Sequence, residues 1–427
     1  MHKFCRIAVA VALSIASISV LAQEIEADKD LPILAPESQH ATSTKRITAQ
    51  FTRAHYKKIK IDDSLSEQIF DRYIKQLDYA RNVFLASDVE RFAQYRDEFD
   101  TVIARGKLDI AYQIYNLNLQ RRLERYQYAL SLLENDQPFD FKLDESYNFD
   151  REEAQRPTSV TELNELWRKK VKYDALNLTL AGKEWEKIQE ILTKRYRYAI
   201  KRLKQSESED VFQIVMNSFA RVVEPHTSYL SPRNAERFQM EMNLSLEGIG
   251  AVLRAEEDYT VIQSVVSGGP ADKSKELKPK DRIVGVSQDD KDFVDVIGWR
   301  LDDVVELIKG PKGSKVRLQI LGAESEDDSS IKVVSIIRDT IKLEDRAAKS
   351  EVYDEKTGDE NTKKLGVITI PSFYNHLSRD VKLEIAKLKE QNVAGIIVDL
   401  RGNGGGSLTE ATLLTGLFID KGPVVQV

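Results

Sequence analysis

The sequence has 427 residues, of which 41% are hydrophobic and 31% are charged, and its formal net charge is −6. At roughly 150 residues per domain this length predicts several domains, and the hydrophobic fraction excludes a wholly disordered chain. The acidic balance gives no electrostatic footprint for nucleic acid, which is therefore not an expected partner. The one cysteine, Cys5, lies in a segment that we expect to be removed. Its loss would exclude disulfides, cysteine-ligated zinc and a cysteine nucleophile from these residues.

The first residues have the pattern of a secretory signal peptide. Lys3 and Arg6 precede an uncharged apolar run over 7–21, and Ala22 supplies a small residue before the expected cut. This run is shorter than the ~20 apolar residues of a membrane-spanning helix, which favours cleavage over anchoring. We therefore expect a signal peptide over 1–22, cleaved after Ala22, and a polar lead-in over 23–45.

Apolar residues recur at helical spacing through 46–235, which predicts a helical N-terminal domain. A break over 135–160 divides its helices into two groups. A basic, tyrosine-rich stretch at 195–204 is better explained as a solvated helix face than as a nucleic-acid surface, because acidic neighbours cancel its charge. The predicted apolar stripes are Leu65, Ile69, Tyr73 and Leu77; Leu119, Leu123, Tyr126, Leu130 and Leu133; and Ile188, Leu192, Tyr196, Ala199 and Leu203.

After Pro232 the pattern changes to short runs rich in Val, Ile and Leu, separated by Gly, Pro, Asp and Lys, which predicts β-strands. One short helix is predicted over 299–309. Together these elements predict a compact, partly open β-barrel domain over 238–340. The predicted strands cover 244–254, 259–266, 281–286, 315–321 and 331–338.

The final part of the chain, 341–427, predicts the start of an α/β unit, so the fold class is multidomain α+β. The polar stretch 349–364 is predicted to be a loop or hairpin tip. The elements expected after it are a strand over 365–370, a helix over 377–391, a strand over 393–400, a Gly-rich turn and a helix over 408–418.

A first candidate site is the Gly-apolar-Gly loop over 248–251, which leads directly into a strand. Its glycines allow successive N–H groups to converge into an anion-binding nest, and a strand with a free edge can add a peptide strand. The helix over 299–309 could then supply a pocket for the last side chain of that peptide. A plain tight turn is the alternative. The candidate peptide-binding residues are Gly248, Ile249, Gly250, Ala251, Leu301, Val305 and Ile308.

A second candidate site is the Gly-rich turn over 402–406, between a buried strand and a helix. Ser407 and Glu410 are spaced as a capping box for that helix. Converging N–H groups at a helix N-terminus stabilise negative charge. Three interpretations stay open from the residues alone: a simple connection, a dinucleotide-binding loop that lacks the third glycine of GxGxxG, and an oxyanion hole for acyl transfer.

Longer motifs give a resemblance. Gly268-Gly269-Pro270-Ala271 and Lys280-Asp281-Arg282-Ile283 follow the first site in the order of a PDZ domain, although many PDZ domains carry Gly where Lys280 stands. Asp399-Leu400-Arg401-Gly402-Asn403-Gly404-Gly405-Gly406 comes later. With the stretches 224–232, 245–250 and 296–305, the chain from about residue 40 resembles the carboxyl-terminal processing peptidase family, in particular its periplasmic tail-specific members.

The resemblance implies a crotonase-like or ClpP-like protease core over 341–427 and a serine endopeptidase with a Ser–Lys dyad. It implies that Gly406, with Gly405 as the fallback, donates an N–H to the oxyanion. No cofactor and no metal are implied. The implied partners are protein substrates with apolar C-termini and a helical lipoprotein adaptor. The implied location is the periplasm, at or near the inner membrane.

The nucleophile and base of that family have no counterpart in this sequence. No Ser-Ala-Ser pattern occurs after the Gly-rich turn, and Ser407 is better explained as a helix cap. His226 and His376 have no motif neighbour for a nucleophile and are expected to be surface or turn residues. The sequence thus predicts a truncated, catalytically incomplete protease precursor. The alternative is a non-enzymatic PDZ scaffold that binds peptides.

Overall fold

The computed structural model describes residues 31–134, 139–323, 331–343, 346–356 and 362–426. The chain divides into two compact units between Ser231 and Pro232. The predicted signal peptide lies outside the described residues. Within the described residues, no helix combines the length and the apolar character needed to cross a membrane.

The first unit is helical, as predicted. The residues of the predicted stripes that are buried are Leu65, Ile69, Tyr73, Leu77, Leu119, Leu123, Leu133, Ile188, Leu192, Tyr196 and Leu203. The predicted break is also confirmed, since no helix is described between Leu133 and Val160. The helices are α1 (Ser38–Arg53), α2 (Asp63–Leu77), α3 (Ala86–Ala93), α4 (Phe99–Arg105), α5 (Asp109–Leu133), α6 (Val160–Leu180), α7 (Trp185–Lys204) and α8 (Ser208–Val223).

The polar lead-in ends earlier than the sequence predicts, because α1 already begins at Ser38. His40 on its first turn is buried, with Nε2 2.9 Å from a Glu209 carboxylate oxygen. Its Nδ1 accepts the Glu37 N–H at 3.1 Å. The helix is therefore held by polar tertiary contacts, which a search for apolar periodicity does not detect.

The second unit begins with α9 (Pro232–Asn243) and continues into a β-rich domain. The elements of this domain are β1 (Ser245–Gly248), β2 (Ala251–Glu256), β3 (Tyr259–Val265), α10 (Pro270–Ser274), β4 (Arg282–Gln288), β5 (Val294–Asp295), α11 (Leu301–Ile308), β6 (Lys315–Leu321), β7 (Lys332–Ile337) and β8 (Asp339–Lys342). The main sheet has the order β2-β3-β4-β6-β7, with β5 paired to β4, while β1 and β8 form a separate antiparallel pair. Among the described residues this sheet is open, with β2 at one edge and β7 at the other.

The rest of the second unit is an α/β layer. Its elements are β9 (Lys349–Lys356), β10 (Thr362–Thr369), α12 (Leu377–Glu390), β11 (Gly395–Asp399) and α13 (Leu408–Thr415). Strand β10 pairs in parallel with β11 and antiparallel with β9. Helix α12 packs its buried face, which includes Leu377, Val381 and Leu388, into the core under the sheet.

The prediction of a loop or hairpin tip over 349–364 is wrong for most of that stretch, because Lys349–Lys356 form strand β9. It is an edge strand, and Lys349, Glu351 and Tyr353 face solvent. Ser350 points to the other side, where its hydroxyl donates to Glu384 at 2.6 Å. With a polar residue on each face, the strand lacks the apolar alternation by which strands are predicted.

Candidate functional site

The loop between β1 and β2 leaves two backbone donors unpaired. The carbonyl of Ile249 accepts from the Ala271 N–H at 2.7 Å, and the carbonyl of Gly250 accepts from the Val266 N–H at 2.8 Å. No described residue accepts from the N–H groups of Ile249 and Gly250. A buried donor without a partner costs free energy, so these two groups favour an anionic ligand.

Gly250 requires glycine. Its φ is +74°, in the left-handed region that side chains rarely adopt. A Cβ at this position would lie 3.3 Å from the Ile341 side chain and 3.4 Å from Gly269 Cα. The second glycine of the Gly-apolar-Gly order is therefore explained by the backbone of the loop itself.

The peptide groove expected from the sequence would lie between β2 and α11, which are neighbours in the fold. Strand β2 pairs only with β3, so its other edge is open among the described residues. Leu301 and Val305 on α11 are half-buried and stand outside the core of the domain. Ile308, the third predicted pocket residue, is only 3% exposed and belongs to that core. Ile249 is likewise a core residue, so its backbone N–H, and not its side chain, is available to a ligand.

In the Gly-rich turn, Asn403 organises the backbone. Its Nδ2 donates to the carbonyl of Ile370 at 2.9 Å, and its Oδ1 accepts the Gly405 N–H at 2.8 Å. The Gly405 donor is thus already used inside the turn. No described residue accepts from the Gly406 N–H. Of the two predicted oxyanion donors, the geometry therefore favours Gly406 over Gly405.

The backbone of Phe373 binds the turn through two hydrogen bonds. Its N–H donates to the Gly405 carbonyl at 2.9 Å, and its carbonyl accepts from the Ser407 N–H at 2.7 Å. Gly406 lies between these two bonds with a φ of +141°. The two backbone hydrogen bonds of Phe373 therefore fix the direction in which the Gly406 N–H points.

The strand that enters the turn ends in an ion pair. Arg401 Nη2 lies 2.7 Å from a carboxylate oxygen of Asp399. The Arg401 guanidinium and its backbone N–H hold the pKa of Asp399 at about 2. Asp399 is consequently ionised at neutral pH and serves to fix the turn rather than to carry a proton.

The predicted capping box at α13 is half right. The Ser407 hydroxyl accepts the Glu410 N–H at 3.3 Å, as predicted. The Glu410 carboxylate, however, accepts from the N–H groups of His376 and Ser378, at 2.8 and 3.0 Å, and so caps α12. The Ser407 N–H that a capping box would bind donates instead to Phe373.

Glu410 is therefore a tertiary cap for a neighbouring helix. Its burial by itself raises its pKa, but hydrogen bonds from Ser378 and His376 outweigh that effect and lower the pKa below the usual value. Sequence reasoning missed Phe373 and Asn403 as supports of the turn and Glu410 as a cap of α12. Only Glu410 had a local signal, and that signal pointed to the wrong helix.

The comparisons with known proteins follow the same domain order. Residues 47–233 match the tail-specific protease N-terminal domain, residues 237–321 match the PDZ domain, and residues 364–427 match peptidase family S41. Over 401 residues the chain is 48% identical to the tail-specific protease of Haemophilus influenzae. The match covers 94% of this chain and 56% of that protein. The chain is a relative of the tail-specific proteases.

Two further matches are to carboxy-terminal processing proteases. The carboxy-terminal processing protease CtpA of Bacillus subtilis is 35% identical over 201 residues, covering 47% of this chain and 38% of that protein. The crystal structure of the PDZ domain of the carboxy-terminal protease from Vibrio cholerae, in complex with a peptide, is 62% identical. It covers 23% of this chain and 100% of its own, with a TM-score of 0.23.

These matches confirm the resemblance to carboxyl-terminal processing peptidases and the fold class of a helical N-terminal region, a PDZ domain and an S41 core. The chain spans 56% of the length of the Haemophilus influenzae tail-specific protease and 38% of the Bacillus subtilis protease.

Proposed function

We propose that the whole protein is an exported serine endopeptidase that binds the apolar C-termini of protein substrates in its PDZ domain and hydrolyses those substrates. One observation carries the proposal. The second unit combines a loop suited to a carboxylate, through the N–H groups of Ile249 and Gly250, with a glycine turn whose Gly406 N–H is available to an oxyanion.

We propose the following division of the chain: a signal peptide over 1–22, a helical domain over 46–235, a PDZ domain over 238–340 and a part of the protease core over 341–427. The match to peptidase family S41 over 364–427 supports the oxyanion interpretation of the turn over a dinucleotide-binding loop. Export to the periplasm rests on the signal-peptide pattern of the first 22 residues.

The proposed chemistry is acyl transfer with a serine nucleophile and a lysine base, neither of which belongs to these 427 residues. The Gly406 N–H would stabilise the negative charge that develops on the carbonyl oxygen of the scissile bond. Residues 1–427 alone are then inactive. A helical lipoprotein adaptor remains a proposed partner, and no contact surface is assigned to it.

The first test concerns the PDZ domain. A labelled peptide of about ten residues that ends in three alanines and a free carboxylate should bind residues 23–427 in a fluorescence anisotropy titration. Capping its C-terminus as the amide should weaken binding about tenfold or more, because the two N–H groups lose their anionic partner. Acetylating its N-terminus is the control and should change nothing. Equal affinity of the acid and the amide would remove the role given to Ile249 and Gly250.

The second test separates an enzyme from a peptide-binding scaffold. The coding sequence should contain a Ser-Ala-Ser-Glu segment and a lysine within about 150 codons after Val427, which is the length of one domain. The protein that includes them should cleave a substrate with an apolar C-terminus, and a serine-to-alanine variant should not. Peptide binding without cleavage would support the scaffold.

A further inference from the structure

Strand β7 forms an open edge of the main sheet. One side of the strand pairs with β6, from Lys332 opposite Ile320 to Ile337 opposite Lys315. No strand in the part of the chain that the structure describes pairs with the other side. The 6 residues of β7 give this edge a length of about 20 Å. A row of backbone donors and acceptors is therefore without a strand partner.

The hydrogen bonds at the end of β7 show which backbone groups lie on this edge. The N–H of Arg338 donates to the Ser314 carbonyl, on the β6 side, at 2.8 Å. In an antiparallel pair, successive residues direct their N–H and C=O groups alternately towards and away from the neighbouring strand. The register with β6 is regular over the whole of β7. The N–H and C=O groups of Val333, Ser335 and Ile337 therefore point away from β6, along the open edge.

The outer face of β7 is apolar. Val333 is 48% exposed and Ile337 is 55% exposed, whereas Val334 and Ile336 belong to the core of the domain. The residue between the two exposed side chains is Ser335, which is uncharged. Exposed apolar side chains on an edge strand favour association with another strand, because pairing buries them and satisfies the backbone.

The edge strand β9 shows a different way of treating an edge in the same chain. Charged side chains on an edge strand oppose the addition of another strand. Between Val333 and Ile337, β7 has neither a charged residue nor a proline, so its edge lacks this protection. The charged residues of β9 are Lys349, Glu351, Asp354, Glu355 and Lys356.

We propose that β7 pairs with β7 of a second copy of this chain, antiparallel and around a two-fold axis at Ser335. In this register Val333 lies opposite the partner's Ile337, and the symmetry produces this apolar pair twice. The two Ser335 residues face each other. The outward backbone groups at 333, 335 and 337 then form the hydrogen-bonded pairs of the new ladder.

The ends of β7 present no repulsion between like charges. Lys332 pairs with Glu276 at 3.2 Å, and Asp339 pairs with Lys312 at 2.7 Å. Arg338 would lie opposite the partner's Lys332, but it is buried and its Nε donates inside its own domain, to the carbonyl of Ile308. One strand of 6 residues makes a small interface, so we expect a weak dimer that depends on concentration.

This inference is independent of the proposed peptide binding, because β2 and β7 are opposite edges of the sheet. The test is sedimentation velocity of residues 23–427 at concentrations from about 1 to about 100 μM. The average mass should rise from that of one chain towards that of two, with a Kd of about 10 μM.

Two double variants test the register of the pairing. Val333→Lys/Ile337→Lys places like charges opposite each other in both cross-strand pairs, and should raise the Kd about tenfold or more. Val333→Lys/Ile337→Glu places opposite charges there, and should return the Kd to within about fivefold of the wild-type value. Leu383→Lys changes an exposed apolar residue of α12 and is the control, which should associate as the wild type does.

The outcomes are distinct. A wild-type chain that stays monomeric at every concentration overturns the proposal. So does association that survives Val333→Lys/Ile337→Lys, or that Leu383→Lys weakens equally. If both double variants are monomeric, the antiparallel register is wrong.

A thermal melt checks that each variant is folded. Should a double variant not fold, Ser335→Pro tests the same edge, because the N–H that it removes points away from β6. Ser335→Pro should also raise the Kd about tenfold or more, and an unchanged Kd would contradict the pairing.

Discussion

Gly406 lies against the backbone of Phe373 so closely that no side chain fits between them. A Cβ at Gly406 would collide with the Phe373 carbonyl oxygen and lie 2.8 Å from the carbonyl carbon. The φ of +141° adds to this restriction. The last glycine of the turn is therefore required by packing, quite apart from any role of its N–H in catalysis.

Replacing Gly406 with alanine should destabilise residues 23–427 by about 3 kcal/mol, since both the backbone strain and the collision with Phe373 must be relieved. Urea unfolding measures this loss. Gly404→Ala is the matched control, because nothing lies within 4 Å of a Cβ there. A Gly406→Ala variant as stable as Gly404→Ala would contradict the packing described for Phe373. In the proposed full-length protease, Gly406→Ala should also abolish cleavage.

Asn403 should control the protection of the Gly405 amide. Asn403→Ala removes both of its hydrogen bonds, which should cost about 1–2 kcal/mol of unfolding free energy and release the Gly405 N–H to exchange. Asn403→Asp keeps the acceptor for Gly405 but loses the donor to Ile370. Amide exchange should therefore remain slow at Gly405 in the aspartate variant. Fast exchange there in both variants would mean that Asn403 Oδ1 is not the acceptor.

Glu410 should make stability depend on pH. Because its pKa is lower in the folded state, its contribution is present above the unfolded value of about 4.5 and is lost as pH falls through the folded value. Glu410→Gln should therefore be less stable than wild type by about 1–2 kcal/mol at pH 7, a difference that shrinks towards zero on acidification.

Urea unfolding between pH 3 and pH 7, in steps of about one unit, measures this difference. Glu390→Gln, at the exposed last residue of α12, is the control and should track wild type throughout. If the loss of unfolding free energy in Glu410→Gln stays constant with pH, the lost charge is not its cause.

Two adjacent valines of α11 should separate stability from binding. Val304 is fully buried in the core, whereas Val305 is half-buried and faces away from it. Val304→Ala should cost about 2 kcal/mol of stability, and Val305→Ala less than about 1 kcal/mol. Val305→Ala should instead weaken the alanine-ended peptide about fivefold, because the groove loses apolar surface.

Anisotropy titration and urea unfolding on the same samples separate the two effects. If Val305→Ala binds as tightly as wild type, Val305 does not line the pocket. If it loses as much stability as Val304→Ala, it belongs to the core.

The sequence by itself determined the order of domains, the stripes of the N-terminal helices and the two glycine loops. Apolar periodicity and glycine spacing are local properties, and they express constraints that each segment imposes on itself. The likeness to carboxyl-terminal processing peptidases followed from motifs in a fixed order, which is also readable along the chain.

The tertiary structure decided what a local pattern cannot contain. It showed that Ile308 belongs to the core of its domain and that Glu410 caps α12. It also showed that α1 begins as early as Ser38, where His40 makes tertiary contacts. It also distinguished Gly406 from Gly405 as a hydrogen-bond donor. The Gly405 N–H is taken by Asn403 Oδ1, whereas the Gly406 N–H stays available between two hydrogen bonds to Phe373, about thirty residues earlier in the chain. The contact of Asn403 with Gly405 is local, but those of Phe373 with the turn and of Glu410 with α12 join residues distant in the chain. Only the folded arrangement therefore reveals which donors remain available for chemistry.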